Sequence, residues 1–221
     1  ACVASASMST WSSVVSPGRG VIGWDLGGAH LKAAALDANG RLAWVRQRPL
    51  PLWQGLDRLT EALAAIATAA ELDGRRHAIT MTGELVDLFD DRQGGVATLT
   101  QAMTERLPPG AVLIYAGPAG FVAPPRAGAL AAEVASANWH ATASWMAAQG
   151  GAGLLVDVGS TTTDILALAG GRVWHDGYSD QERLRSGELV YTGIVRTPVM
   201  AVAQRVPFAG EWQTVANEHF A

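Results

Sequence analysis

The chain has 221 residues, 49% hydrophobic and 16% charged, with 25 Gly and 10 Pro, which is long enough to bury a core without disulfides and far from a disordered or fibrous composition. A formal net charge of −4 offers no basic surface to a nucleic-acid backbone, and no apolar run reaches the roughly 18 residues a membrane helix needs. The single cysteine, Cys2, removes a disulfide framework and any cysteine-rich metal site, leaving a cytoplasmic protein that acts on a small molecule, with a homo-oligomer as an open possibility.

Taken in chain order, the first 18 residues are rich in Ser and Ala and lack the basic and apolar regions of a secretory signal. They read as a disordered tail in which Met8 is the native start, so that Cys2 falls outside the functional protein. Three strands follow, VIGWDLG, LKAAALD and RLAWVRQRPL, with Ala38-Asn39-Gly40 turning between the last two. Leu56, Leu59, Leu63, Ile66 and Ala70 recur at spacings of three and four, which predicts one helix from Gln54 to Leu72. HAITMTG is a strand, VATLTQAMTERL a helix and AVLIYAG a buried strand, and residues 127–149 are mostly helical. The order βββαβα(β)α predicts an α/β layer structure with helices covering a central sheet.

At GAGLLVDVGSTTTDILALAGGRVWH the opening pattern returns. Asp25, Gly27, Gly28, Lys32 and Leu36 stand opposite Asp157, Gly159, Ser160, Asp164 and Leu168, each 132 positions later. Such a repeat implies two related halves, here 19–149 and an incomplete copy over 150–221. DQERLRSGE predicts a solvated helix from which Arg183 or Arg185 could reach an anion. The closing EWQTVANEHFA reads as the start of a helix cut short, as in a truncated chain.

Both copies run a strand into Asp-x-Gly and straight back into a second strand. Gly at such a turn permits close approach and positive φ, and the turn's N–H groups face an anion. Gly27, Gly28 and Gly159 shape the two turns, Ser160, Thr161, Thr162 and Thr163 add hydroxyl donors, and the carboxylates of Asp25 and Asp157 suit Mg²⁺ held through water. Facing each other, the hairpins would clamp a polyphosphate. Fifteen of the basic residues are Arg and one is Lys, Lys32, which marks position 32 as one that needs a compact ammonium. Thr82-Gly83-Glu84 ends a predicted strand, where ligands gather in open α/β sheets, and adds Glu84 as a candidate. Trp24, beside Asp25, either lines an aromatic pocket or packs in the core. The sequence holds no GxxxxGK[ST], HExxH or GxSxG motif.

WDLGGAHLK and VDVGSTTTD resemble the phosphate-1 and phosphate-2 signatures of the actin, sugar-kinase and heat-shock-chaperone ATPase superfamily. MTGEL with VDLF, GPAGFV, ANWHATA, GSTTTDI and GELVYTGIVRTPV are similar to the hydantoinase A/oxoprolinase branch, and most of all to its short members linked to tetrahydromethanopterin one-carbon transfer and methanofuran-precursor synthesis. The resemblance implies an actin-like ATPase (ribonuclease H-like) fold of two duplicated halves around a cleft. It assigns Asp25, Asp157 and Asp164 to metal-facing or base-like work, Lys32 to charge neutralisation and Gly159 to Thr163 to the second phosphate turn. Ala29-His30 stands where most of the superfamily has a hydroxyl residue, which weakens a simple kinase reading. Three activities follow: a transferase that joins a phenolic, tyramine-type acceptor to an aminomethylfuran diphosphate, an ATP-dependent amidohydrolase opening cyclic amides, and a non-catalytic nucleotide-binding subunit. The cofactor set is Mg²⁺ with ATP or a diphosphate-bearing substrate in the same site.

Overall fold

A computed structural model describes residues 20–195, 197 and 199–215, so the N-terminal tail with Cys2 and Met8 lies outside the described residues, as do 216–221. The chain divides into two compact units, one holding the residues up to 151 together with 170–173, the other holding 152–169 and the residues from 174 on.

The first unit is built on a six-stranded sheet of order β3-β2-β1-β4-β5-β6, formed by β1 (Val21–Leu26), β2 (His30–Leu36), β3 (Leu42–Pro49), β4 (Arg76–Met81), β5 (Val112–Tyr115) and β6 (Phe121–Val122). The first three strands form an antiparallel meander, β4 lies parallel to β1, β5 parallel to β4, and β6 folds back antiparallel. An antiparallel meander continued by parallel strands is the ribonuclease H-like arrangement of actin-like ATPases, the class that the family resemblance implies.

Period-two alternation in β1 sends Ile22, Trp24 and Leu26 into the core and leaves Gly23 and Asp25 half-buried on the other face. The core face is covered by α1 (Asp57–Ile66), through Leu59, Leu63 and Ile66, and by α2 (Arg92–Arg106), through Val96, Leu99 and Met103. Trp24 therefore belongs to the core. Its indole N–H donates to Nδ1 of the fully buried His77 over 3.1 Å, and His77 Nε2 lies 3.3 Å from the Leu72 carbonyl.

The single helix predicted over 54–72 is three pieces, a 3-10 turn at Leu52–Gln54, α1, and one further turn at Ala69–Leu72. Ala67 is extended, and Thr68 begins the last piece with a capping box: its hydroxyl accepts from the Glu71 N–H while the Glu71 carboxylate accepts from the Thr68 N–H. The stretch 127–149 is likewise interrupted. Short turns reach Val134, Ala135 forms a parallel bridge to Met81, Ser136 takes a left-handed φ of 54°, and only then does α3 (Asn138–Ala148) run.

A second sheet, of order β10-β8-β7 with β9 also on β8, is made by β7 (Gly153–Val158), β8 (Thr163–Ala169), β9 (Arg172–Trp174) and β10 (Leu189–Val190). The predicted helix at DQERLRSGE is α4 (Asp180–Ser186), started by a Ser179–Glu182 capping box and closed by Gly187 at φ 80°. It is solvated on one face only, because Arg183 is buried. Residues 211–214, read as a helix start, form β12 (Glu211–Thr214), which pairs antiparallel with β11 (Arg205–Phe208). No described helix is long and apolar enough to cross a membrane.

Candidate functional site: two glycine turns

Each unit carries the same hairpin. In the first, Asp25 pairs with Lys32 and Leu26 with Leu31 across β1 and β2; in the second, Asp157 pairs with Asp164 and Val158 with Thr163 across β7 and β8. The 132-residue offset is kept in the hydrogen bonding: Gly27 N–H donates to the His30 carbonyl over 3.1 Å and Gly159 N–H to the Thr162 carbonyl over 2.8 Å. A Cβ on Gly28 would stand 2.6 Å from Cγ1 of Val86, so any larger residue there must displace that side chain.

Both turns are supported from behind by backbone N–H groups of another segment, on carbonyl pairs that differ by one position in the repeat. Leu52 N–H donates to the Gly28 carbonyl (3.1 Å) and Leu50 N–H to the Ala29 carbonyl (2.8 Å). In the second hairpin Ile194 N–H donates to the Gly159 carbonyl (3.0 Å) and Val195 N–H to the Ser160 carbonyl (3.1 Å). A trans peptide points its N–H opposite its C=O. The captured carbonyls therefore turn the N–H groups of Ala29 and His30, and of Ser160 and Thr161, away from the support, as a pair of successive donors able to hold an anion.

The side chains divide by environment. Lys32 Nζ lies 3.0 Å from Asp25 Oδ2, with the lysine side chain 53% and the aspartate 30% exposed, so this cross-strand pair adds little to stability. Asp25 Oδ1 is buried and makes no hydrogen bond. Asp157 is exposed. Ser160 Oγ and Thr161 Oγ1 lie 3.4 Å apart at the surface, and Thr162 is half-buried, whereas the Thr163 hydroxyl turns inward and donates to the Thr192 carbonyl over 2.6 Å. On the open face of the first sheet a cleft of ≈ 330 Å³ runs from Asp25, Lys32 and Thr80 over Gly23 and Ala34 to Phe121.

Glu84 and Asp164 are held more tightly than a solvent-facing catalytic carboxylate. Glu84 is 2% exposed, and α2 presses on it so closely that a Cβ on Gly95 would meet the Glu84 backbone at 3.0 Å. Its Oε1 accepts from Ser136 Oγ over 3.0 Å, its Oε2 is buried without a partner, and burial pushes its carboxyl above the usual range. Asp164 Oδ1 accepts from Nη2 of Arg183, a guanidinium only 2% exposed. Burial raises the Asp164 carboxyl against the opposing pull of Arg183, and the charges of Asp157 and Asp180 add to the rise.

The donor set admits Mg²⁺ in one way only. Among the described residues no group of three or more His, Cys, Asp or Glu could hold a metal ion, so an ion here takes most of its oxygens from a bound phosphate and from water, as Mg²⁺ commonly does. The partnerless Asp25 Oδ1 fits such an ion.

The two glycine turns sit on an α/β scaffold of actin-like ATPase architecture, and residues 75–217 match the hydantoinase/oxoprolinase family profile. The chain belongs to the hydantoinase/oxoprolinase family. It is 29% identical over 202 residues, 91% of its length, to the (4-{4-[2-(gamma-L-glutamylamino)ethyl]phenoxymethyl}furan-2-yl)methanamine synthase of Methanocaldococcus jannaschii. It is 40% identical over 68 residues, 31% of its length, to the protein of that name from Methanococcus vannielii. The chain spans 59% of the first relative and 30% of the second. Among solved structures it is similar to the ethanolamine utilization protein EutJ from Carboxydothermus hydrogenoformans, with 15% identity, a TM-score of 0.41, and 74% of this chain and 53% of that one covered. The Ppx/GppA family member of Aquifex aeolicus gives 13% identity and a TM-score of 0.41 over 72% of this chain and 50% of that one.

Sequence reasoning missed Arg183 as the partner of Asp164, Ser136 as the partner of Glu84, and the support supplied by residues 192–195. The Ser179–Glu182 capping box did signal α4, but the contact of Arg183 with β8 is non-local and leaves no local signature.

Proposed function

We propose that the chain is part of a synthase of methanofuran-type precursors, in which a glycine turn holds a diphosphate leaving group while a phenol oxygen attacks the carbon that carried it. The observation that carries the reading is the pair of turns with two successive N–H groups facing forward in each; the names of the two relatives supply the organic substrates. The new bond joins the phenolic oxygen of a tyramine-type acceptor to the methylene carbon of an aminomethylfuran, and the bond from that carbon to the diphosphate oxygen breaks with its electron pair leaving on the diphosphate. Lys32 and the turn N–H groups stabilise the charge that gathers there. Mg²⁺, held through water by Asp25 with the diphosphate at the first turn or by Asp157 at the second, would add Lewis-acid stabilisation of the same charge. The phenol proton passes to solvent, while Glu84 and Asp164, each tied to a partner of its own, support the structure behind the turns. The cleft beside Asp25 and Lys32 offers the organic part a flat floor of small residues with Phe121 at one end. The reaction takes place in the cytoplasm.

Family membership favours one second reading, ATP-dependent opening of a cyclic amide at the same turns. Mass spectrometry of products separates the two: aryl ether and free diphosphate from an aminomethylfuran diphosphate and a phenol support the synthase, and ADP with a ring-opened amide supports the alternative. Calorimetry with magnesium pyrophosphate tests the site itself. Asp25→Ala and Asp157→Ala are each expected to weaken Mg²⁺-dependent binding at their own turn with the fold intact, since neither carboxylate supports the core. Lys32→Arg is expected to weaken binding by about tenfold to a hundredfold, because a planar guanidinium cannot reproduce the ammonium's bonds. Unchanged affinity in all three variants would remove the phosphate site.

A further inference from the structure

We propose that residues 192–195 together with Thr197 are a positioning clamp for the second turn, and that Gly193 and Thr197 set the direction of the Ser160 and Thr161 N–H groups toward a diphosphate oxygen. The inference rests on the phosphate reading of the turns and gives a task to residues that lie outside them.

Gly193 packs directly on the peptide that joins Ser160 to Thr161. A Cβ at position 193 would stand 2.4 Å from Thr161 N and 2.5 Å from both the carbonyl carbon and the oxygen of Ser160. All three are backbone atoms, which cannot swing aside as a side-chain tip can, so any other residue at 193 must push the turn out of place. Thr197 fixes Gly193 from both sides, its Oγ1 accepting from the Gly193 N–H over 3.0 Å and donating to the Gly193 carbonyl over 2.8 Å. The next two residues then deliver the Ile194 and Val195 N–H groups to the Gly159 and Ser160 carbonyls, and the Thr163 hydroxyl ties Thr192 to β8. The hydroxyl at 197 and the bare Cα at 193 are thus linked, through the captured carbonyls, to the direction of the two N–H groups on the far side of those peptides. Anion recognition by N–H groups depends on distances of roughly 2.7–3.1 Å, so a displacement of about an ångström at this peptide is felt as lost affinity. Gly193 and Thr197 are positioning residues: they act through the turn and touch no ligand.

The probe is magnesium pyrophosphate, followed by calorimetry and by the amide NMR signals of Ser160 and Thr161. In the unaltered chain both amides are expected to shift on titration. Gly193→Ala should weaken affinity at least tenfold and abolish those two shifts. Thr197→Val should do the same, while Thr197→Ser, which keeps the hydroxyl, retains affinity within about twofold. A merely structural role for Thr197 would not separate Val from Ser in this readout. If Gly193→Ala folds and binds like the unaltered chain, the clamp is overturned and the phosphate reading survives. Should Gly193→Ala fail to fold, equal affinity of Thr197→Val and Thr197→Ser overturns the clamp. Absence of any pyrophosphate-dependent shift at either turn of the unaltered chain removes the clamp together with the reading on which it rests.

Discussion

Asp164→Asn is expected to destabilise the fold by about 3 kcal/mol, the lower end of the cost of breaking a buried ion pair, because Asp164 is only partly covered while Arg183 is almost wholly so. The variant leaves the Arg183 guanidinium, projecting from α4 toward β8, without its carboxylate in a place that water does not reach. A contact with the Glu188 carbonyl, at 3.4 Å, is too long to take the place of the carboxylate. A double variant, Asp164→Leu with Arg183→Leu, removes both charges and is expected to recover most of the loss, since two apolar groups of similar reach can fill the same space. Urea unfolding of the single and double variants gives the coupling energy directly. A single variant within 0.5 kcal/mol of the unaltered chain would show that the pair contributes nothing to the fold and would free Asp164 for chemistry.

The second large effect is a pH dependence set by His77. Desolvation holds the ring down to about 4 from its ordinary 6.5, and the Trp24 indole N–H that it accepts requires an unprotonated Nδ1. The unfolded chain therefore takes up a proton near pH 6.5 that the folded chain refuses until about pH 4. Stability falls as the pH drops through this interval and levels off below it, by about 3 kcal/mol in all for this one group. Comparing denaturant midpoints at pH 7 and pH 4.5 for the unaltered chain and for His77→Gln, which keeps an acceptor for Trp24 but cannot titrate, isolates the contribution. An equal acid-side loss in both proteins would exclude His77 as its source.

The repeat was legible because it is written in residue identities: Asp25 against Asp157, Gly27 against Gly159 and Lys32 against Asp164 fall at one offset, and strand register follows from that alone. Turn glycines and alternating apolar residues carry their own conformational reasons, so the two hairpins were readable without neighbours. Helix interruptions were not. The break at Ala67 depends on a Thr68–Glu71 capping box that the apolar stripe on either side obscures, and the break before Asn138 depends on Ala135 pairing with Met81 and on Ser136 bonding to Glu84, 52 residues away. The short strands β6, β10 and β12 have too few residues for periodicity to show. At the site, sequence suggested hydroxyl donors at 160–163, whereas the Thr163 hydroxyl serves the interior, and the backbone support of each turn comes from segments that no pattern links to it.

Because each turn's carbonyls are captured by backbone N–H groups from a distant segment, the amide donors of the turn are specified by residues that are not in it. The side chains of the turn itself are then free to drift. The first copy carries Gly28-Ala29-His30 and the second Ser160-Thr161-Thr162, sequences with little in common around the same hydrogen-bonded turn. After a duplication, one copy can lose every hydroxyl and gain an imidazole while its amide geometry stays under the control of Leu50 and Leu52. Relatives of this chain are best compared at their supporting segments, where a change alters the site, rather than at the tips of the turns, where it need not.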